Sequence, residues 1–449
     1  MTTEEELDAL AAGDSREWLA FDESERRWSW YYGEDHRRAL PWRQLSRVQL
    51  AEAVCHAVGY IREPGVRRLR SSDDPEALPL LLVRCVDWVP QVRAIARAAV
   101  LARFAQADRA GLLPLVVALS RRAVDDWVDE HLLQPMLRSP ELLDHALATP
   151  DLRTRRTVHE SALHAGLLSD ERLASIAMHD HDDVIRTRVG HLLLDRGDPR
   201  FVLPLLDGGA PKVRARALQL LGVETARERL AESSSLVRSM AQALVLRSGG
   251  DPAAYYREAL RSGAVMRATV AGLGETGTLD DVDLVRAQFA DDRPRVRVAA
   301  VRGLRRLLAN PSDPRAAEYG RELLTDPSPG VVREAVALLD RRLGPADRSL
   351  LLDLAAPARP LHVRRGALTL LRGLSRWSRL ATDLWLLSVP GEPLADEALR
   401  DLDEWRQDGS SAFTRPSPDL AARIGELLAE LEPQLGPAVT GELRNRAQV

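Results

Sequence analysis

The chain has 449 residues and a formal net charge of -4 at pH 7. A charge so close to neutral provides no overall field that would draw the protein to nucleic acid or to an anionic membrane. Cys55 and Cys85 are the only cysteines, which excludes a disulfide framework and a four-thiolate zinc site. No apolar run reaches the ~18 residues that indicate a membrane span. The acidic start, MTTEEELDAL, lacks the apolar core of a signal peptide, so we expect a cytoplasmic protein.

Residues 1–45 are the first predicted element, a helical cap with a high density of aromatic side chains. The stretch ERRWSWYYGEDHRR places Trp28, Trp30, Tyr31 and Tyr32 among charged residues. Because Trp, Tyr and Arg dominate the hot spots of protein interfaces, we predict that these four aromatics contact a partner. They would also suit the stacking of nucleobases. A cap that seals the apolar end of the following array explains them equally well, and one segment can serve both purposes.

From residue 46 to residue 390 one pattern recurs: a turn residue or proline, then Val-Arg, then a helix rich in Ala and Leu. The strongest copies are PQVRAIARAAV (90–100), PKVRARALQLL (211–221), SLVRSMAQALV (235–245), PRVRVAAVRGL (294–304), GVVREAVALLD (330–340) and LHVRRGALTLL (361–371). Their spacing gives about 30 residues per unit, enough for two short helices and two turns. Second helices are therefore predicted between the Val-Arg helices, for example over 74–84, 279–289 and 313–324.

One helix pair buries too little apolar surface to fold alone, so the pairs must stack. The predicted fold class is therefore all-α, an α-solenoid of about ten or eleven stacked helix pairs. The pattern resembles the HEAT repeat, in the short form found in phycobilin-lyase-like repeat proteins. This resemblance covers roughly residues 46–390 and implies a fold rather than a function, because such solenoids have many activities.

The resemblance also implies a ladder in which the arginine of each unit bonds to acids within and between units. In the strong copies an acid precedes the arginine by about two helical turns, as Asp291 precedes Arg297. We expect the ladder arginines to lie in register and to contact an acid of their own or a neighbouring turn. They are Arg93, Arg186, Arg214, Arg238, Arg297, Arg333 and Arg364.

The stretch DDWVDE, early in the array, joins Trp127 to Asp126 and Asp129. HEAT-like alkylpurine DNA glycosylases use Trp and Asp on their inner helices, so DNA repair is an alternative hypothesis. In that family the catalytic Asp follows the Trp by a full helical turn, whereas Asp129 comes too early and lies on a different face. We favour a degenerate unit in which Trp127 packs in the core.

The stretch MHDHDDVIR alternates two histidines with aspartates, which raises the question of a metal site. Asp180 holds the place of the turn acid of its unit. Asp182 and Asp183 are predicted to cap the next helix. Only His179 and His181 then remain, whereas zinc prefers three or four convergent ligands. We therefore predict an ordinary turn, and neither a metal nor a cofactor.

GLGETG (272–277) matches the glycine spacing of a dinucleotide-binding loop. Such a loop joins a strand to a helix, but here a helical pattern precedes it. We interpret the segment as a helix C-cap followed by a turn.

Arginines recur late in the Val-Arg helices and provide a second candidate surface. We predict that Arg305, Arg306, Arg372 and Arg376 belong to a basic strip that contacts an acidic partner or phosphates. Two structural explanations compete with this one. Cations near a helix C-terminus complement the helix dipole, and the acidic segment 391–449, predicted to be a C-terminal helical cap, can fold back on the strip.

These patterns favour a non-catalytic scaffold or regulatory adaptor that binds another protein through its concave face and the N-terminal aromatic segment. No G-x-S-x-G, H-E-x-x-H or paired-cysteine motif indicates an enzyme. The alternative is a nucleic-acid-binding or DNA-repair protein that uses the inner arginines and Trp127. A third hypothesis, implied only by the family resemblance, is a lyase-like chaperone for a chromophore or cofactor.

Overall fold

The structure is a computed structural model, and its described residues are helical and contain no strand, which confirms the all-α fold class. It describes residues 3–32, 42, 44–123, 125–408 and 415–449, without the side chains of residues 30–32. The predicted interface residues Trp30, Tyr31 and Tyr32 contribute backbone to a helix, but their side chains lie outside the described part of the chain.

The chain divides into two compact units, Met1–Phe201 and Val202–Val449. The helices of unit 1 are α1 (Glu4–Ala12), α2 (Glu17–Tyr32), α3 (Arg47–Cys55), α4 (Gly59–Leu69), α5 (Ala77–Arg84), α6 (Pro90–Arg103), α7 (Arg109–Ser120), α8 (Gln134–Leu137), α9 (Pro140–Ala148), α10 (Leu152–His164), α11 (Asp170–His179) and α12 (Asp183–Asp195). Directly before α8, residues Asp129–Leu133 form a π-helical stretch.

Helix α13 (Pro199–Gly208) spans the division, and the remaining helices belong to unit 2. They are α14 (Pro211–Leu221), α15 (Val223–Glu228), α16 (Ser235–Arg247), α17 (Pro252–Arg261), α18 (Arg267–Thr276), α19 (Val282–Arg286), α20 (Pro294–Leu307), α21 (Pro314–Leu323), α22 (Pro329–Leu339), α23 (Arg348–Ala355), α24 (Leu361–Leu374), α25 (Arg376–Ser388), α26 (Ala395–Gln407), α27 (Pro418–Leu435) and α28 (Pro437–Ala447). The predicted second helix over 279–289 is the short α19, flanked by turns of 3-10 helix.

The predicted Val-Arg segments all form helices, and the proline and the valine of the pattern have different structural roles. Four of the helices begin at a proline, whose fixed φ and missing N–H suit the first helical position. The valine before the arginine is buried in every strong copy. These valines are Val92, Val213, Val237, Val296, Val332 and Val363. The pattern thus marks the first turn of each helix, where a valine packs in the core.

Neighbouring Val-Arg helices pack side by side within unit 2. Helix α18 packs against α20, α20 against α22 and α22 against α24, while α17, α21 and α23 pack against the Val-Arg helices that follow them. Each pair therefore buries its apolar face against its neighbours, as stacked helix pairs must. The HEAT-repeat assignment itself stays a prediction.

The ladder arginines bond in two directions, and Arg297 shows both. Its Nη1 donates to the backbone carbonyl oxygen of Asp291 at 2.9 Å, within its own turn. Its Nε and Nη2 donate to the carboxylate of Asp326, at 2.9 Å each, in the next turn along the array. Asp326 also accepts from the backbone N–H of Ser328 at 2.7 Å. One carboxylate thus caps its own helix and holds the preceding unit.

The predicted contact with an acidic side chain is confirmed for Arg186, Arg214, Arg238, Arg297 and Arg364. Arg93 instead donates to the carbonyl oxygen of Asp87 at 2.7 Å. The prediction was wrong for Arg333, which has no ion pair within the described part of the chain. The corresponding turn of the next unit has Pro357 and Ala358 where an acid would be needed.

The segment GLGETG lies largely inside a helix, so the predicted C-cap and turn were placed too early. Helix α18 runs through Gly272 and Gly274 and ends at Thr276. A Cβ atom at Gly272 would lie 2.2 Å from a ring carbon of Tyr256, and one at Gly274 would lie 2.3 Å from Cα of Gly303. These glycines therefore permit close helix packing, and they do not join a strand to a helix as a dinucleotide loop does.

Candidate functional site

Val-Arg helices α16, α18, α20 and α22 line a groove of about 560 Å³ in unit 2, here termed the arginine groove. Their first turns contribute to it, and α18 and α20 line it along most of their length. Its lining contains serines, small apolar residues and one acid, Glu275. Its six arginines are Arg238, Arg267, Arg295, Arg302, Arg306 and Arg333. Because helix N-termini also carry partial positive charge, backbone and side chains both make this groove attractive to an anion.

The single acid of the groove is already neutralised by its surroundings. Arg238 donates to both carboxylate oxygens of Glu275, at 2.8 and 2.7 Å, and Gln242 donates to it at 2.9 Å. Burial raises the pKa of Glu275, but these hydrogen bonds and the charge of Arg238 lower it by more, so it stays below its usual value. The carboxylate therefore remains ionised and paired, and it does not cancel the remaining arginines.

Three of the groove arginines have no acidic partner. Arg267, Arg295 and Arg333 are exposed, and no carboxylate lies within ion-pair distance of them in the described part of the chain. Arg267 donates only to the carbonyl oxygen of Ser233, at 3.1 Å. Arg302, by contrast, pairs with Glu334 at 2.7 Å. Three full positive charges are thus available to an anionic ligand.

Of the predicted site residues, Arg306 lines the groove and Arg305 does not. Arg306 lies 3.6 Å from Glu275 and remains more than half exposed. Arg305 lies 3.8 Å from Glu334, on the flank of helix α20. The structure therefore brings only one of these two arginines to the groove.

Arg372 and Arg376 bond to acids of the same chain: Arg372 to Asp383 of α25 and, at 3.5 Å, to Asp401, and Arg376 to Asp408. Asp401 and Asp408 belong to the segment 391–449 that was expected to fold back on the basic strip. Arg372 donates to Asp383 at 2.5 and 2.8 Å. Arg376 pairs with Asp408 at 2.6 Å, and its guanidinium lies 4.5 Å from the centre of the Trp405 ring. These two arginines help to hold α26 against α24 and α25, which leaves less of their charge for a partner.

Asp383 gives this C-terminal contact a pH dependence. Its side chain is fully buried, and burial together with the hydrogen bond to Asp401 raises its pKa to about 8. Burial raises the pKa of Asp401, but its hydrogen bonds with Arg379 and Asp383 lower it by more, to about 2. The pair therefore holds one proton at neutral pH that the unfolded chain would release.

We predict that the stability of unit 2 falls as the pH rises through about 8. Because the pKa of Asp383 is higher in the folded chain than in the unfolded chain, the bound proton stabilises the fold. This stabilisation is complete below the unfolded pKa of ~3.9 and is lost as the pH rises through the folded pKa, by up to ~1.4 kcal/mol per pH unit. Asp383→Asn mimics the protonated form, so it should flatten this decline in denaturation experiments between pH 5 and pH 9. Asp283→Asn, at an exposed position, should keep the wild-type profile. An unchanged slope in the Asp383 variant would contradict the shared proton.

In unit 1, the first half of α2 is packed as a cap. Trp18 and Phe21 are buried. Asp22 pairs with Arg84, which is itself fully buried and bonds Asp87 at 3.0 Å. Asp87 also accepts from Arg62 Nε and Nη2 at 2.9 Å each. A buried ion network therefore fastens the aromatic helix to the array.

Aromatic side chains remain exposed beside this network. Trp28, which was predicted as an interface residue, is 45% exposed, and Tyr60 and Trp88, which were not predicted, are 77% and 68% exposed. The backbone N–H of Ala57 donates to Ser29 Oγ at 2.8 Å, which places the end of α2 next to the turn before Tyr60. The role of Trp28, Trp30, Tyr31 and Tyr32 in partner binding stays a prediction.

Trp127 is half-buried and has partners within unit 1. Its ring stacks on His131 with centres 5.0 Å apart, and the guanidinium of Arg97 lies 4.7 Å from its centre. Arg97 also pairs with Asp125 at 2.7 Å, and Asp129 accepts from Gln134 Nε2 at 3.3 Å. Both residues that motivated the DNA-repair hypothesis thus make contacts that support the local fold.

The acids of MHDHDDVIR act in the ladder and in a helix cap. Asp180 accepts from Arg155 at 2.8 Å. Asp182 accepts from Arg156 and from the first turn of α12, each at 2.7 Å. Across the described ranges, His, Cys, Asp and Glu side chains form no group of three or more that would suit a metal ion.

Comparison with known proteins gave no family. No family model and no curated protein matches the chain. Several solved structures match, among them the crystal structure of an engineered protein, with 16% identity, a TM-score of 0.28, and coverage of 89% of this chain and 97% of the other. In the described part of the chain, no helix is both long enough and apolar enough to cross a membrane.

Proposed function

We propose that this protein is a non-catalytic cytoplasmic adaptor of the HEAT-repeat type, whose arginine groove binds an acidic segment of a partner protein. One observation carries the proposal: Arg267, Arg295 and Arg333, from three successive Val-Arg helices, line one groove and have no acidic partner among the residues that the structure describes. Elsewhere in the array, arginines of this kind are used to hold neighbouring units together.

The chemistry of the groove suits carboxylates. A guanidinium presents a planar fork of N–H donors that matches a carboxylate in two parallel hydrogen bonds. The arginines lie on successive helices, so an extended segment with several Asp or Glu residues would meet them in turn. The exposed serines of the lining, Ser233 and Ser235, would offer further hydrogen bonds.

An acidic peptide suits the groove better than a nucleic acid. Sites for single-stranded nucleic acid combine a basic groove with aromatic side chains on which the bases stack. Among the described residues that line this groove, none is aromatic. The net charge of -4 also provides no general attraction for a polyanion.

The test uses a fluorescently labelled deca-glutamate peptide and fluorescence anisotropy at low ionic strength. We predict that the triple variant Arg267→Gln, Arg295→Gln, Arg333→Gln binds it at least about tenfold more weakly. Three contacts of at least ~0.5 kcal/mol each would exceed the ~1.4 kcal/mol that corresponds to this factor.

A second triple variant controls for net charge: Arg227→Gln, Arg286→Gln and Arg359→Gln remove three arginines that do not line the groove. It should bind the peptide as the wild type does. Equal loss in both variants would mean that only overall charge matters and would overturn the proposal. If a 20-nucleotide oligo-dT binds more tightly than the peptide and is lost in the first variant, the nucleic-acid hypothesis replaces it.

A further inference from the structure

A second and larger groove in unit 2 has a different character. It measures about 860 Å³, and α23, α25 and α27 contribute to it. Four arginines and one acid, Asp419, line it beside a broad apolar surface. We term it the tryptophan groove; its main apolar residues are Leu352, Leu374, Trp377, Trp385 and Leu420, and its arginines are Arg348, Arg376, Arg415 and Arg423.

Arg348 is partly buried in this groove without a counter-ion. Burial lowers the pKa of its guanidinium, and no acid offsets that effect. Its one hydrogen bond goes from Nη1 to Ser378 Oγ at 3.4 Å, and no carboxylate pairs with it among the residues that the structure describes. A charge held away from water without a partner is costly, so a bound anion would stabilise this arrangement.

Trp377 provides a second unmet donor in the same groove. Its side chain is only 3% exposed, yet Nε1 has no hydrogen-bond acceptor within the described structure. A buried donor that is left without an acceptor costs ~1–3 kcal/mol. A carboxylate oxygen at this place would accept both from the indole N–H and from a nearby guanidinium. The starts of α25 and α27 also border the groove and favour negative charge there.

We propose that the tryptophan groove binds a small organic carboxylate with an apolar chain, such as a medium-chain fatty acid anion. The carboxylate lies between Arg348 and Trp377, and the chain lies along Leu352, Trp385 and Leu420. The volume falls within the ~300–1,000 Å³ of typical small-molecule sites. Arg348, which pairs with no carboxylate among the described residues, selects an anion, and the leucines and tryptophans select an apolar body.

The test is calorimetric titration of the full chain with decanoate, with decanol and decyltrimethylammonium as neutral and cationic probes of the same length. We expect decanoate to bind at least tenfold more tightly than either. Arg348→Gln and Trp377→Phe, which keep side-chain bulk, should each weaken decanoate binding at least fivefold. Arg229→Gln, whose arginine pairs with Asp207 outside the groove, should have no effect.

Equal binding of decanoate and decanol would mean that the groove is only an apolar surface, and it would overturn the proposal. Wild-type affinity in Arg348→Gln would overturn it as well. Circular dichroism melts show whether the variants fold. If Trp377→Phe is unstable, decanoate binding by Arg348→Gln alone still tests the proposal. Decanoate binding should persist in the triple variant of the arginine groove, so failure of one proposal does not depend on the other.

Discussion

Asp87→Ala is expected to lower the apparent Tm of the protein by roughly 10 °C. Asp87 is the shared partner of Arg62 and Arg84, both fully buried. Burial raises the pKa of Asp87, but hydrogen bonds from Arg62 and the charge of Arg84 outweigh it, so the carboxyl is held ionised below its usual value. Removing one member of such a buried group leaves uncompensated charge and costs ~3–5 kcal/mol. For a unit of this size each kcal/mol shifts Tm by ~2–4 °C.

Asp144→Ala is the matched control for this variant. Asp144 pairs with Arg172 at 2.5 Å, but its side chain is largely exposed. Exposed pairs contribute only ~0–1 kcal/mol, so this change should leave the thermal melt nearly unaltered. Similar melting of both variants would show that the network around Asp87 is not a significant source of stability.

Gly274→Ala should destabilise unit 2 by ~1–3 kcal/mol or more. The added Cβ atom would lie 2.3 Å from Cα of Gly303, a backbone atom that cannot rotate away. Helices α18 and α20 would have to separate, and overpacking of this kind costs ~1–3 kcal/mol and occasionally more. Chemical denaturation followed by circular dichroism measures the loss.

The same substitution at Gly441 should change the folding stability in the opposite direction. Gly441 lies within α28, and in the described part of the chain no atom would lie within 4 Å of a Cβ atom there. Because alanine is favoured over glycine in a helix by ~0.5–1 kcal/mol, Gly441→Ala should stabilise slightly. Stabilisation by Gly274→Ala as well would contradict the close contact of α18 and α20.

Much of the helical layout could be predicted from the sequence, because it depends on local patterns. Four Val-Arg helices begin at a proline with a buried valine two residues later, as in Pro294 and Val296. The interior position of Gly274 was missed because its reason lies in Gly303, on another helix. Sequence shows that a glycine is present, but it does not show which backbone lies opposite.

The candidate site was harder to predict, because it depends on which charges remain unpaired. From the sequence, Arg372 and Arg376 were predicted to be available to a partner. The structure instead pairs them with Asp383 and Asp408. The sequence did contain a signal for Arg333, since Pro357 and Ala358 stand in the next turn where its acid should be. For Arg267 and Arg295 no such signal exists, and only their shared position in the groove identifies them.

The ladder also bears on how the gene for such a protein can change in length. Arg297 and Asp326 are 29 positions apart, and Arg364 and Glu392 are 28 apart, so each pair joins one unit to the next. Duplication or deletion of one complete unit keeps the register of such pairs, whereas a change of half a unit places a buried guanidinium opposite a helix. Recombination should therefore be tolerated in steps of about 30 residues, and shorter insertions should survive only in the turns.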